Sequence, residues 1–243
     1  MKRILVFFLA LSMAAGFSMA DEEGTGLSAG VEFGIEDIND GVEPYLYFDI
    51  SFERSFLDDA VDIFAELGYT LGFSSVTTSG GRDVLPQTMY FGIGAGFNLD
   101  VGEASVLSFI VEHEFEDILI NPRFSGINNF AAVVTPSIRF GHEVDFGEVF
   151  AQVGFPVTYI DHDRDADVEA GVVITLGWES DFDLEVEIET HIPFDLGDEG
   201  VAVTPEVGYS FGDFSFHFSI EFAGLGVSGA FSVTPAIGIR FNF

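Results

Sequence analysis

The chain has 243 residues and no cysteine, with eight Lys or Arg set against 41 Asp or Glu. That length admits one large all-β domain or two small ones; the missing cysteine excludes disulfides, thiolate metal sites and a lipid-anchored Cys. A formal net charge of −33 excludes nucleic acid as a partner, since phosphate backbones are held by cationic patches. A hydrophobic content of 48% with 29 Phe excludes the disorder that such charge otherwise brings.

The first elements are basic and then apolar. Lys2 and Arg3 precede "ILVFFLAL", and the small residues Ser18 and Ala20 follow. This is the pattern of a secretory signal peptide over residues 1–20, cut between Ala20 and Asp21 and too short for a spanning helix. Removing Lys2 and Arg3 from the eight basic residues leaves six against 41 acids, a net of −35. All six are Arg.

Beyond residue 20 no apolar run is long enough for a membrane helix, and period-two alternation dominates. Leu27, Ala29, Val31, Phe33 and Ile35 alternate with Ser28, Gly30, Glu32 and Gly34. The same rhythm predicts twelve strands over about 27–36, 43–54, 60–73, 87–99, 105–116, 130–141, 148–159, 168–179, 184–194, 201–211, 214–222 and 230–243. A split or merged hairpin would make ten or fourteen. Each segment is close to the ~9–11 residues of a tilted membrane-crossing strand.

Even-numbered connections are short, such as Gly212–Asp213, whereas odd-numbered ones are longer, with Ser74–Pro86 and Asp117–Asn129 the longest. Outer-membrane barrels alternate in this way, with both termini on the periplasmic side. Alternation does not say which face is apolar, since a soluble lipocalin-like barrel has the same period. Glycine is concentrated on the polar face, for example at Gly30, Gly34, Gly68, Gly94, Gly177 and Gly238. Small residues suit the concave side, and twelve strands enclose more volume than a soluble core fills. The apolar face is therefore expected to meet lipid, with Tyr69, Tyr159, Trp178 and Tyr209 near the interfaces.

The chain closes on "FSVTPAIGIRFNF", with Ile237, Ile239, Phe241 and Phe243 at alternate positions. This ending resembles that of bacterial outer-membrane β-barrel, porin-like proteins, whose last strand commonly ends on an aromatic residue. The resemblance covers all 223 mature residues, names no subfamily, and implies that the barrel-assembly machinery reads Phe241 and Phe243. The expected fold is an all-β, antiparallel up-and-down transmembrane barrel formed by residues 21–243.

Proline opposes this reading. Pro cannot donate to a strand ladder and is normally kept out of central strands, and a closed barrel has no edge. "VTP" occurs at Val134–Pro136, Val203–Pro205 and Val233–Pro235. On the predicted topology all eight prolines fall towards the extracellular side, so VTP is expected at the rim, where bulges are common. Hairpin duplication and a shared rim geometry account equally for the repeat.

The polar face carries Glu32, Glu36, Glu53, Asp62, Glu66, Glu112, Glu114, Glu169, Glu179, Glu185, Glu187, Glu189, Glu206 and Glu221, and only Arg139 and Arg240 among bases. Like charges ~7 Å apart repel by about 0.6 kcal/mol in water and ~2.4 kcal/mol at an effective dielectric of 20. Such a stripe requires water, and carboxylate rings favour cations. The sequence thus predicts an acidic lumen and a passive, cation-preferring channel for small solutes, without a cofactor. The alternatives are a solvated interior whose charge only aids solubility, and a non-transporting structural barrel or adhesin.

Two further patterns are weaker. Asp161, Asp163 and Asp165 alternate as Ca²⁺ ligands do, but the stretch lacks the EF-hand glycine and its closing Glu comes too soon. A solvated loop is the simpler reading. His217 and Ser219 share a strand face, and Asp161 precedes His162, yet no third catalytic group is evident. The sequence is read as non-enzymatic.

Overall fold

The computed structural model describes residues 25–36, 43–57, 59–73, 76–77, 83–84, 87–119, 129–162, 165–195, 200–228 and 230–243. The expected signal peptide lies outside them. The strands, in chain order, are β1 (Thr25–Glu36), β2 (Glu43–Phe56), β3 (Val61–Gly72), β4 (Val76–Thr77), β5 (Asp83–Val84), β6 (Gln87–Asp100), β7 (Ser105–Leu119) and β8 (Asn129–Val144). They continue as β9 (Gly147–Gly154), β10 (Val157–His162), β11 (Asp165–Ser180), β12 (Leu184–Pro193), β13 (Val201–Phe211), β14 (Phe214–Leu225) and β15 (Ser232–Asn242).

Neighbouring strands of the main sheet pair antiparallel, and β15 pairs back onto β1, with Ala29 opposite Phe241 and Gly34 opposite Ala236. β9 and β10 both lie between β8 and β11, as two lengths of one stave. The result is a closed barrel of twelve staves. β4 and β5 form a separate small hairpin in the connection between β3 and β6. Closure leaves no edge strand to recruit another chain. The last residue completes the seam, the Phe243 N–H donating to the Leu27 carbonyl at 2.9 Å.

The faces divide as the alternation demands. Exposed apolar side chains run at every second position, such as Phe91, Ile93 and Phe97 on β6 and Phe214, Phe216 and Phe218 on β14. Their neighbours in sequence reach one another over intervening strands: Arg139 on β8 bonds Glu179 on β11, and His217 on β14 bonds Glu32 on β1. Only the concave side allows such contacts. The Phe-bearing face is therefore the outside of the cylinder. Tyr159 and Tyr209 are exposed on it, and Trp178 meets Phe146 edge-on at 5.9 Å.

Three expectations are corrected. The seventh predicted strand, 148–159, is not continuous but breaks at Phe155–Pro156. "DHDRDADVE" is not a loop: β10 and β11 extend to pair His162 with Asp165, leaving only residues 163–164 between them. Asp161 and Asp165 thus sit in paired strands, and Asp163 is outside the described residues. The every-second-residue spacing that suggested ligands is the strand period itself. Finally, Pro136 lies midway along β8, opposite Val111, rather than at the rim.

The break explains how Pro136 is tolerated. In an antiparallel strand the N–H and C=O of one residue point to the same neighbour. The Pro136 carbonyl accepts from the Phe155 N–H at 2.9 Å, so its missing donor also faces Phe155–Pro156, where the stave is already interrupted. Likewise the Pro44 carbonyl accepts from Phe73, the residue just past the end of β3.

The short turns make one testable demand. Gly147 has φ +137°, and a Cβ there would collide with the Glu179 backbone carbonyl of the adjacent stave. Gly102 sits in the turn before β7, and an added Cβ there would meet nothing within 4 Å. Gly147→Ala is expected to lower stability by more than ~1 kcal/mol, because alanine does not fit a positive-φ site. Gly102→Ala is expected to leave it unchanged. Urea titration followed by heat-modifiable gel migration reads both.

Candidate functional site: the inner face of the barrel

The strand register places each acid of the proposed site. Glu112 and Glu114 on β7 pair with Gly94 and Gly92, and Glu185, Glu187 and Glu189 on β12 pair with Glu179, Gly177 and Thr175. Glu206 on β13 is opposite Glu187. All seven share the face that carries Arg139 and Arg240. Among the described residues Glu185, Glu187, Glu189 and Glu206 make no hydrogen bond or ion pair, although they lie in one another's field.

The opposite part of the wall is tied together. Tyr45 donates to Glu32 at 2.9 Å, Tyr47 to Glu66 at 2.7 Å and Tyr90 to Glu114 at 2.8 Å. His217 Nε2 meets Glu32 Oε2 at 3.1 Å, and Arg240 approaches Asp49 at 3.5 Å. Asp49 is only 6% exposed, so Arg240 supplies the partner that a buried carboxylate requires. Ser55 and Asn98 both donate to Asp62.

Glycine controls where the inner aromatic rings go. Tyr45 fills the space a Cβ would take at Gly34, Tyr47 that at Gly68, Phe64 that at Gly94 and Phe150 that at Gly177. Each ring therefore lies along the wall over a neighbouring glycine instead of projecting across the axis. This arrangement covers exposed backbone with apolar surface and keeps the centre of the barrel clear of these rings. Phe150 in turn supports Arg139, whose guanidinium carbon is 4.0 Å from the ring centroid. Arg139 Nη2 donates to Glu148 and Glu179, each at 3.1 Å.

The sequence-predicted pair of His217 and Ser219 is not brought into partnership. His217 is engaged by Glu32, and Ser219 makes no hydrogen bond to it. His217 instead belongs with Glu32 and Tyr45, Glu32 accepting from Tyr45 and meeting His217.

No family model matches the chain, and no curated protein does. Solved structures do. It is similar to an outer membrane channel from Pseudomonas putida F1, at 10% identity and TM-score 0.63 over 94% of this chain and 98% of that one. The translocator domain of the autotransporter NalP from Neisseria meningitidis aligns at 12% identity and TM-score 0.55, over 98% of this chain and 96% of that one. The KdgM porin aligns at 9% identity and TM-score 0.52, over 89% of this chain and 99% of that one.

The chain has the fold of a bacterial outer-membrane β-barrel. Identities this low speak for architecture and not for activity. What distinguishes this outer-membrane-type barrel must come from its own inner face. Sequence reading missed Asp49, Tyr45, Tyr47, Tyr90, Phe64 and Phe150 as inner-face residues with a structural part. The signal was available: Tyr45, Tyr47 and Asp49 alternate with Leu46 and Phe48, so parity alone turns them inward.

Proposed function

We propose that this chain is an outer-membrane protein whose barrel passes small solutes by diffusion and favours cations. In this reading residues 1–20 direct export and are removed, and the barrel-assembly machinery reads Phe241 and Phe243. The bilayer surrounds the Phe-bearing face. A channel and a porin among similar structures support the general reading.

The observation that carries the cation preference is the charge balance of the inner face. Seven acids, Glu112, Glu114, Glu179, Glu185, Glu187, Glu189 and Glu206, share it with Arg139 and Arg240, and both bases are already engaged by carboxylates. Rings of acids raise the local concentration of cations and repel anions. The aromatic rings folded onto glycines leave room for that passage.

Conductance across a planar bilayer holding the purified mature protein tests the reading. Under a KCl gradient the expected result is discrete channels with a reversal potential on the K⁺ side. Absence of channels, or a reversal potential on the Cl⁻ side, would overturn it.

A further inference from the structure

At the short-turn end of the barrel the inner wall is hollowed into a cavity of about 300 Å³, lined by residues of β2, β3, β6, β7, β8 and β9. Its charges are separated. Glu53 and Asp62 lie on one side, Arg139 with Glu148 on the other, and Phe64, Val106 and Ile110 supply apolar wall. Glu53 and Arg139 stand on strands four spacings apart, about 19 Å along the wall at ~4.8 Å per spacing.

Arg139 is built to face this space. Phe150 backs its guanidinium, and Gly177 makes room for Phe150. Both of its carboxylate partners take Nη2, so Nε and Nη1 retain three N–H donors without an acceptor among the described residues. The side chain is 31% exposed. Across the cavity Glu53 makes no hydrogen bond among the described residues, while Asn98 fixes Asp62 at 2.6 Å.

Three solute classes can be compared. A simple anion meets the open guanidinium edge but also Glu53, Asp62 and Glu148, so repulsion prevails. A simple ammonium ion satisfies Glu53 and Asp62 but leaves the three donors of Arg139 to water. A molecule with an ammonium and a carboxylate satisfies both sides, the carboxylate accepting a charge-assisted hydrogen bond from an open N–H of Arg139. An aliphatic substituent then contacts Phe64, Val106 and Ile110. We infer that this cavity is a binding site for zwitterionic solutes of the apolar α-amino acid class, held between Arg139 and Glu53. The inference rests on the channel reading and names a solute class for it.

The test measures block of single-channel K⁺ current by L-leucine and by isopentylamine, which is leucine without its carboxylate. The expected result is saturable block by leucine at concentrations at least tenfold below those needed for isopentylamine. The half-blocking leucine concentration, relative to each variant's own open current, should rise at least tenfold in both Arg139→Gln and Glu53→Gln. Should Arg139→Gln fail to give a heat-modifiable barrel, Glu53→Gln alone decides. Equal block by the two solutes, or unchanged leucine block in Glu53→Gln, overturns the amino acid site. A protein that conducts K⁺ but ignores leucine overturns the site and leaves the channel standing, whereas a protein with no conductance overturns the channel itself.

Discussion

Replacing Val111 by arginine is expected to destabilise the folded barrel by about 2–4 kcal/mol, the range for a cationic side chain placed near the middle of the lipid-facing band. Val111 sits near the middle of β7 and is 53% exposed on the outer face. It pairs with Ala95 on one side and Pro136 on the other, so a charged head at this depth has no acidic partner directly opposite. Arginine must reach towards the interface or draw water inwards, and both are unfavourable. The adjacent Glu112 faces the interior, so Glu112→Gln is expected to change stability far less. Urea unfolding in phospholipid vesicles, followed by gel migration, measures the pair. If Val111→Arg proved harmless while Glu112→Gln unfolded the protein, lipid and water would have been assigned to the wrong faces.

The second large effect concerns selectivity. Changing Glu112, Glu187, Glu189 and Glu206 together to Gln removes four like charges from the inner wall. For a monovalent ion about 7 Å from each, one charge contributes about 0.6 kcal/mol in water. At 0.1 M salt the screening length of ~10 Å roughly halves that. Four such charges therefore stabilise K⁺ by about 1.2 kcal/mol and destabilise Cl⁻ by as much, about 2.4 kcal/mol between the two ions, and the K⁺ over Cl⁻ permeability ratio is expected to fall roughly fiftyfold. Reversal potentials in a KCl gradient give the ratio directly. The effect should shrink further at 1 M salt, where the screening length is ~3 Å. A ratio unmoved by the fourfold change would mean that the carboxylates do not border the ion path.

Much of the fold was legible because strand period and barrel closure are written in local pattern. Val31 and Phe33 against Gly30 and Glu32 give the two faces, and the alternation of short and long connections gives the antiparallel order. The break at Phe155–Pro156 was less legible. "FPVTY" still alternates, and only the missing donor of Pro136 on the neighbouring strand makes an interruption there favourable. The extension of β10 and β11 was obscured because the Asp-rich stretch reads as solvated loop until its pairing partners are known.

The candidate site divides in the same way. The acids and the two inward arginines follow from parity. Their partnerships do not, since Glu32 and His217 are 185 residues apart, and Asp49 and Arg240 are 191 apart. Nor does the sequence show that Phe150 rests over Gly177 and so carries Arg139 to the cavity. The sequence by itself determined which residues face inwards, because alternation is a property of a single strand. The tertiary structure decided which of those residues meet, because cross-barrel neighbours are set by register and closure, and these depend on the pairing of every stave at once.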